Sequence, residues 1–276
     1  MGEPRSVLIT GCSSGIGKEV ALGLQQRGYR VFASARKRED LEDLRQAGLE
    51  AVQLDLANQA SILQAVNSVL ASTNGKLFGL FNNAAYGQPG AVEDISVDAL
   101  REQFEVNVFG THELTRLVLP VMREQGYGRV IQNSSVLGLV ALQYRGAYTA
   151  TKFALEALTD TLRQEFAGTG IYFSLIEPGP VISNFRQNSH KAFLRHIDKD
   201  NSVHRDTYQS MEQRLLKEGP AVPFTVGPDA VLKKVIYALE SKRPQIRYYV
   251  TFPTYLFGYL KRLLPARVLD ALLRQV

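Results

Sequence analysis

The sequence holds one cysteine, Cys12, so no intramolecular disulfide is available and a reducing, cytoplasmic setting is expected. Its four histidines (His112, His190, His196, His204) show no metal-ligand spacing, so no metal site is expected. No apolar run reaches the ~18 residues that a membrane span needs. Strand-like sequence begins by Ser6, so no secretory leader is expected. Linkers, internal repeats and low-complexity blocks are missing too. What remains is an ordinary globular composition, 45% hydrophobic and 21% charged over 276 residues. The net charge of +5 is unevenly placed: residues 233–276 hold nine Lys/Arg against two acids, Glu240 and Asp270. No nucleic-acid motif accompanies that charge, which leaves an acidic cofactor or a membrane surface as the partner it suits.

Ser6–Thr10 (SVLIT) is a short β-branched apolar run, as a strand buried on both faces of a parallel sheet requires. It leads into Gly11-Cys-Ser-Ser-Gly-Ile-Gly17 and then a helix predicted over Glu19 to Gln26. In such a turn the glycines let the backbone approach a pyrophosphate, and the helix N-terminus supplies N–H donors and positive partial charge. A Walker A loop is excluded, because Cys12 stands where that frame needs glycine and Glu19 follows Lys18. A second strand, Arg30–Ala35, ends at Arg36-Lys37-Arg38. An acid there would bind a free ribose 2′-hydroxyl, whereas arginine accommodates a 2′-phosphate, so Arg36 predicts NADP(H) over NAD(H).

Further strands are predicted at Ala51–Leu54, Leu77–Phe81, Arg129–Asn133, Ile171–Ile176 and Gln245–Thr251. Each of the first four ends in residues of chemical interest: Asp55-Leu56 (with Asn58 or Ser61 opening the next helix), Asn82-Asn83-Ala84-Ala85, Ser134-Ser135, and Glu177-Pro178-Gly179-Pro180. One long helix is expected from Val97 to Gln125, carrying Asn107, and another from Pro228 to Glu240. Ser183–Gly219 is polar with weak helical periodicity and predicts a mobile lid or substrate loop, the lid region running over 183–226. The whole implies a Rossmann-type α/β fold: a doubly wound sheet of about seven parallel strands with helices on both faces, in a single domain over 1–251. Residues 252–276 form a basic amphipathic tail, suited either to a membrane interface or to packing over the substrate cleft or a dimer interface.

Tyr148 and Lys152 stand four residues apart at the start of an apolar-periodic segment, hence on one face of a helix. A free tyrosine, with a pKa of ~10, is a poor proton donor or acceptor at pH 7. A cation ~4 Å away at an effective dielectric of ~20 favours the phenolate by ~4 kcal/mol, or ~3 pKa units before desolvation. A phenol so placed could serve as general acid or base.

In order and spacing these residues resemble the short-chain dehydrogenase/reductase family over Ser6 to Thr251. The features in register are the Thr10–Gly17 turn, Asp55, Asn82–Ala85, Asn107, Ser135, Tyr148-x-x-x-Lys152 and Pro178-Gly179. TGCSSGIG, TATKFALEALTD and LIEPGPV are similar to the hydroxysteroid and retinol dehydrogenase branch. With the tail YLKRLLPARVLD, the likeness extends to bacterial NADP-dependent aldehyde reductases. The resemblance implies Tyr148 as proton donor and acceptor, and Lys152 lowering the Tyr148 pKa and binding the nicotinamide ribose. It implies Ser135 hydrogen-bonded to the substrate oxygen and Asn107 holding a water through its carbonyl. A cofactor site would comprise Gly11, Ser13, Ser14, Gly15, Ile16, Gly17, Arg36, Asp55, Leu56, Asn83, Ala84, Tyr148, Lys152, Pro178, Gly179, Val181 and Ser183. Ser14 would join Arg36 on the 2′-phosphate, and Ser183 replaces the threonine that usually meets the carboxamide. Ala85 replaces a glycine, which would cost ~1 kcal/mol if its φ were positive.

The activity implied is NADPH-dependent reduction of an apolar aldehyde or ketone, reversible as alcohol oxidation. Val136, Leu137, Leu139, Val140 and Leu142 are candidate substrate contacts or core. Alternatives are a hydroxysteroid- or retinol-type alcohol dehydrogenase using NAD(P), or a non-catalytic NADP-binding sensor. A homo-oligomer paired through the Asn107 and Tyr148 helices is also implied.

Overall fold

A computed structural model describes residues 4–276. Seven strands, β1 (Ser6–Ile9), β2 (Arg30–Ala35), β3 (Glu50–Gln53), β4 (Gly79–Asn82), β5 (Gly128–Asn133), β6 (Ile171–Glu177) and β7 (Arg247–Tyr249), make one parallel sheet in the order β3-β2-β1-β4-β5-β6-β7. The helices are α1 (Gly15–Gln26), α2 (Arg38–Gln46), α3 (Gln59–Ser72), α4 (Val97–Phe104), α5 (Thr111–Gln125) and α6 (Gly146–Glu165). They continue as α7 (Phe185–His196), α8 (Arg205–Leu216), α9 (Asp229–Glu240), α10 (Phe252–Leu263) and α11 (Ala266–Leu273).

Because successive side chains of a strand point to opposite faces, Val7 and Ile9 of β1 enter one core and Leu8 the other. The first core packs Val20 and Leu24 of α1, Leu41 and Leu44 of α2, and Val231 and Val235 of α9 against the sheet. The second holds Ile62 and Val66 of α3, Leu114, Val118 and Met122 of α5, and Phe166 just past α6. This is the doubly wound fold that the strand-and-helix alternation predicts. The order reverses between β1 and β4, and at that point open α/β sheets leave a crevice at their strand ends.

Three elements differ from expectation. The helix expected over 97–125 is interrupted by a π-helical turn, Glu105–Gly110. That wide turn carries Asn107 inward, where its side-chain amide satisfies the backbone N–H and C=O of Tyr86 (3.2 and 2.9 Å). The segment expected as a loop over 183–219 instead folds into α7 and α8. Phe193 and Tyr208 form a small core there with Ala91 and Ile197, and the Tyr208 hydroxyl accepts from the Ala91 amide at 2.9 Å and donates to Asp94. Two aromatics among polar residues suffice to pack a helix pair and are too sparse to read as a period. Helix α1 begins at Gly15 rather than at Glu19, straight from the glycine turn.

The tail makes two helices broken at Leu264-Pro265. Phe257 of α10 and Leu273 of α11 close over Val140, with Leu142 alongside. No helix of the described residues is long and apolar enough to cross a membrane.

Candidate active site

A cleft of about 1480 Å³ runs along the carboxyl ends of β1, β2, β4, β5 and β6. At its β1 end the glycine turn is fixed by packing. A β-carbon on Gly17 would lie 2.1 Å from the Gly11 carbonyl oxygen, so only glycine lets α1 start so close to β1. Thr10 Oγ1 accepts from the amides of Asn83 (2.8 Å) and Ala84 (2.9 Å), and the Asn83 side-chain amide donates to the Thr10 carbonyl at 2.9 Å. Asn133 Nδ2 then donates to Asn83 Oδ1 at 2.9 Å, linking the ends of β1, β4 and β5. Ser14 is the N-cap of α1 and its side chain makes no capping bond. Its hydroxyl and the first-turn amides are therefore available to an anion such as a pyrophosphate.

Of the residues singled out from sequence, Gly11, Ser13, Ser14, Gly15, Ile16, Arg36, Asp55, Leu56, Asn83, Ala84, Ser135, Tyr148, Lys152, Pro178, Gly179, Val181 and Ser183 all line this cleft. Gly17 and Asn107 lie behind its wall as supports. Arg36 stands exposed past the end of β2, beside Lys37 and Asp40. Asp55 Oδ1 accepts from the Ala57 amide at 3.0 Å, holding the turn after β3. Ala85 is outside the left-handed region, so the strain considered for it does not arise.

Pairing continues past the strands on the other side of the cleft. Ser134 donates its amide to the Ile176 carbonyl (2.7 Å) and Val136 to that of Pro178 (2.8 Å), which sets Ser135 beside Pro178-Gly179. The Ser135 hydroxyl accepts from the Leu137 amide at 3.1 Å, leaving its own proton to donate. Tyr148, on the first turn of α6, is half-buried with its ring edge-on to Phe185, centroids 5.2 Å apart. Lys152 is 3% exposed; its Nζ donates to the Asn133 carbonyl at 2.6 Å and lies 5.5 Å from the Tyr148 ring centroid.

Burial pushes the Tyr148 phenol above its usual range, with the Ser135 hydroxyl pulling the other way. The Lys152 charge expected from sequence to depress Tyr148 is not among the causes acting on it; the ammonium is turned to the Asn133 carbonyl instead. Burial also pulls the Lys152 ammonium down to about 8, opposed by the Glu156 carboxylate. The arrangement offers a protonated phenol, a hydroxyl donor and a buried cation at one point of an apolar-walled cleft. Phe252, Leu256 and Phe257 of the tail, with Val136, Leu137, Val140 and Leu142, make that wall.

Sequence reasoning missed several residues here. The Tyr86 hydroxyl is buried without a hydrogen-bond partner at the cleft, and burial pushes it up to about 12. Glu156, Glu177 and Arg247 form a charge cluster behind Lys152. Glu177 was visible only as the end of a strand, and Glu156 only by its place four residues after Lys152.

A model of the short chain dehydrogenase family matches residues 5–193. Over 270 residues the chain is 43% identical to an uncharacterized oxidoreductase, YbbO, of Escherichia coli K12, covering 98% of this chain and 94% of that one. It is 33% identical to human retinol dehydrogenase 8, covering 88% and 80%. Among solved structures it is similar to a short chain dehydrogenase/reductase of Burkholderia phymatum in complex with NAD, with a TM-score of 0.78, 26% identity, and coverage of 95% and 94%.

Proposed function

The chain belongs to the short chain dehydrogenase family and is an oxidoreductase of it, and on that premise we propose that it reduces an apolar aldehyde or ketone with NADPH. The observation that carries this reading is the convergence of Ser135, Tyr148 and Lys152 beneath an apolar wall, with Arg36 at the far end of the same cleft. The cofactor, when bound, supplies the hydride. Tyr148 gives its proton to the carbonyl oxygen, and the burial that keeps the phenol protonated keeps it in the donating form. Ser135 donates a hydrogen bond to the same oxygen, where negative charge develops. Lys152 offers its ammonium to the ribose and to the phenolate left after transfer. Arg36 and Ser14 would hold the 2′-phosphate, and the first turn of α1 would take the pyrophosphate.

The 33% identity with retinol dehydrogenase 8 favours a second reading of the same residues, oxidation of a bulky apolar alcohol, in which Tyr148 accepts the proton instead. One assay separates the two: NADPH consumption and NADP reduction against matched aldehydes, ketones and alcohols at pH 7. Carbonyl reduction with NADPH outpacing NADH supports the first reading. Turnover only of alcohols supports the second, and absence of any turnover refutes both.

A further inference from the structure

One turn beyond Lys152 on α6, away from Tyr148, comes Glu156, 7% exposed. Glu177, the last residue of β6, is fully buried and comes within hydrogen-bonding reach of it. Arg247 of β7 bridges them, 3.0 Å from Glu156, 3.1 Å from Glu177 and 2.7 Å from Asp160. The Ser134 hydroxyl lies beside Glu156 without being aimed to donate to it, and Ser134 follows the residue whose carbonyl takes the Lys152 ammonium. Backbone seals the cluster at Gly138, where a β-carbon would lie 2.5 Å from Ser134 Oγ and 3.1 Å from Glu156.

Asp160 answers two guanidiniums, Arg163 and Arg247, whereas Glu156 and Glu177 are buried against each other with Arg247 between them. Two carboxylates sharing a site are relieved by one proton between them. The hydrogen-bond pattern locates that proton. Neither Glu177 oxygen, nor Glu156 Oε1, has a well-directed donor. A buried carboxylate needs several donors, whereas a neutral carboxyl can supply its own proton to a neighbour. Burial and the Glu156 charge push Glu177 up to about 9; burial pushes Glu156 the same way, opposed by Ser134 and Arg247. The other titratable groups that feel the pair are Tyr249 of β7 and Lys261 of α10, whose ammonium lies 4.5 Å from the Phe153 ring centroid; Arg163 answers Asp160.

We propose that Glu156 and Glu177 share one proton, held on Glu177, and that the charge remaining on Glu156 keeps the buried Lys152 in its ammonium form. Glu156 is then a positioning residue: it touches neither substrate nor cofactor and acts through Lys152. Its kinetic consequence rests on the reductase reading above, but the charge assignment does not.

The test titrates Lys152 directly. In protein carrying 13C-labelled lysine, the Lys152 signal is assigned by its loss in Lys152→Arg and followed with pH in wild type, Glu156→Gln and Glu177→Gln. Removing an opposite charge one helical turn away in a buried site moves a pKa by about one unit or more. Glu156→Gln is therefore expected to lower the Lys152 midpoint by at least that much. Glu177→Gln, which mimics the protonated acid, leaves the midpoint in place. The alkaline limb of kcat/KM for NADPH, which reports the free enzyme, follows the same pattern. If Glu156→Gln does not fold, Glu156→Asp is titrated instead and shows a smaller fall. Equal midpoints in wild type and the Glu156 variants overturn the proposal, as does a fall in Glu177→Gln matching that in Glu156→Gln. A loss of rate at every pH without a shifted limb assigns Glu156 to packing and also overturns it. Wild type without turnover refutes the reductase reading and leaves the lysine titration to judge this one.

Discussion

Tyr148 is the residue on which the proposed chemistry turns, and its phenol and ring can be separated. Tyr148→Phe keeps the contact with Phe185 and removes the proton. General acid catalysis is typically worth ~10²–10⁴ in rate, so a loss of at least ~10² in kcat is expected with NADPH affinity retained. Steady-state kinetics and nucleotide fluorescence titration check it; turnover within about threefold of wild type would refute Tyr148 as the acid. Lys152→Ala is expected to lower both rate and affinity. At the other end of the cleft, Arg36→Ala removes a charge-assisted contact worth ~1.5–3 kcal/mol. NADP(H) should weaken ten- to a hundred-fold while NAD(H) is nearly unchanged. Equal losses in parallel titrations would refute Arg36 as the selector.

The elements differ in how plainly the sequence announces them. Strands such as Val7–Ile9 carry unbroken apolar runs because both faces of the sheet are covered, and the residues at their carboxyl ends follow by position alone. The glycine turn and the Tyr148/Lys152 spacing are local patterns, legible without partners. The π-helical turn at Asn107 is different, since it is set by bonds to Tyr86 and Thr151, the latter 44 residues away. The Glu156–Arg247 contact joins residues 91 apart, a pairing that no window of sequence contains. Helices α10 and α11 were legible as amphipathic, but what their apolar side covers was not. Phe257 covers Val140 at the cleft, so Phe257→Ala should cost about 3 kcal/mol in denaturant unfolding. It should also raise KM more for long apolar carbonyls than for short ones. Tyr255, Tyr259 and Leu263 remain exposed on α10. If they meet a membrane, truncation after Thr251 abolishes sedimentation with anionic vesicles at low salt while sparing NADPH binding. Full-length protein that stays in the supernatant would leave only the packing role.

For the molecule as a whole, the buried acids tie stability to pH. Glu177 has its folded pKa raised from an ordinary carboxyl value to about 9, chiefly by burial. Its neutral form is what the fold accommodates, so its contribution is fully present below the unfolded pKa and declines as pH rises towards 9. Glu177→Gln removes that decline. Relative to wild type, the variant should gain stability between pH 5 and pH 9, by at most about 1.4 kcal/mol per unit. Urea unfolding at pH 5, 7 and 9 measures the difference, and a constant offset between the two proteins would contradict a protonated Glu177.

Cys12, the sole thiol in the chain, sits fully buried within the glycine turn, its amide held by the Ser34 carbonyl at 2.7 Å and its pKa pushed up to about 12 by burial. It therefore works as a clock for the opening of that turn: a disulfide reagent can reach it only when the loop swings away from β2. At a hundredfold excess of nucleotide over its Kd, linkage allows labelling to slow by up to about a hundredfold. Comparing the retardation by NADPH and NADH would rank the two nucleotides at the turn proposed to bind them, without any substrate being known. Labelling indifferent to both would mean that Cys12 is reached by a motion the nucleotide does not restrain.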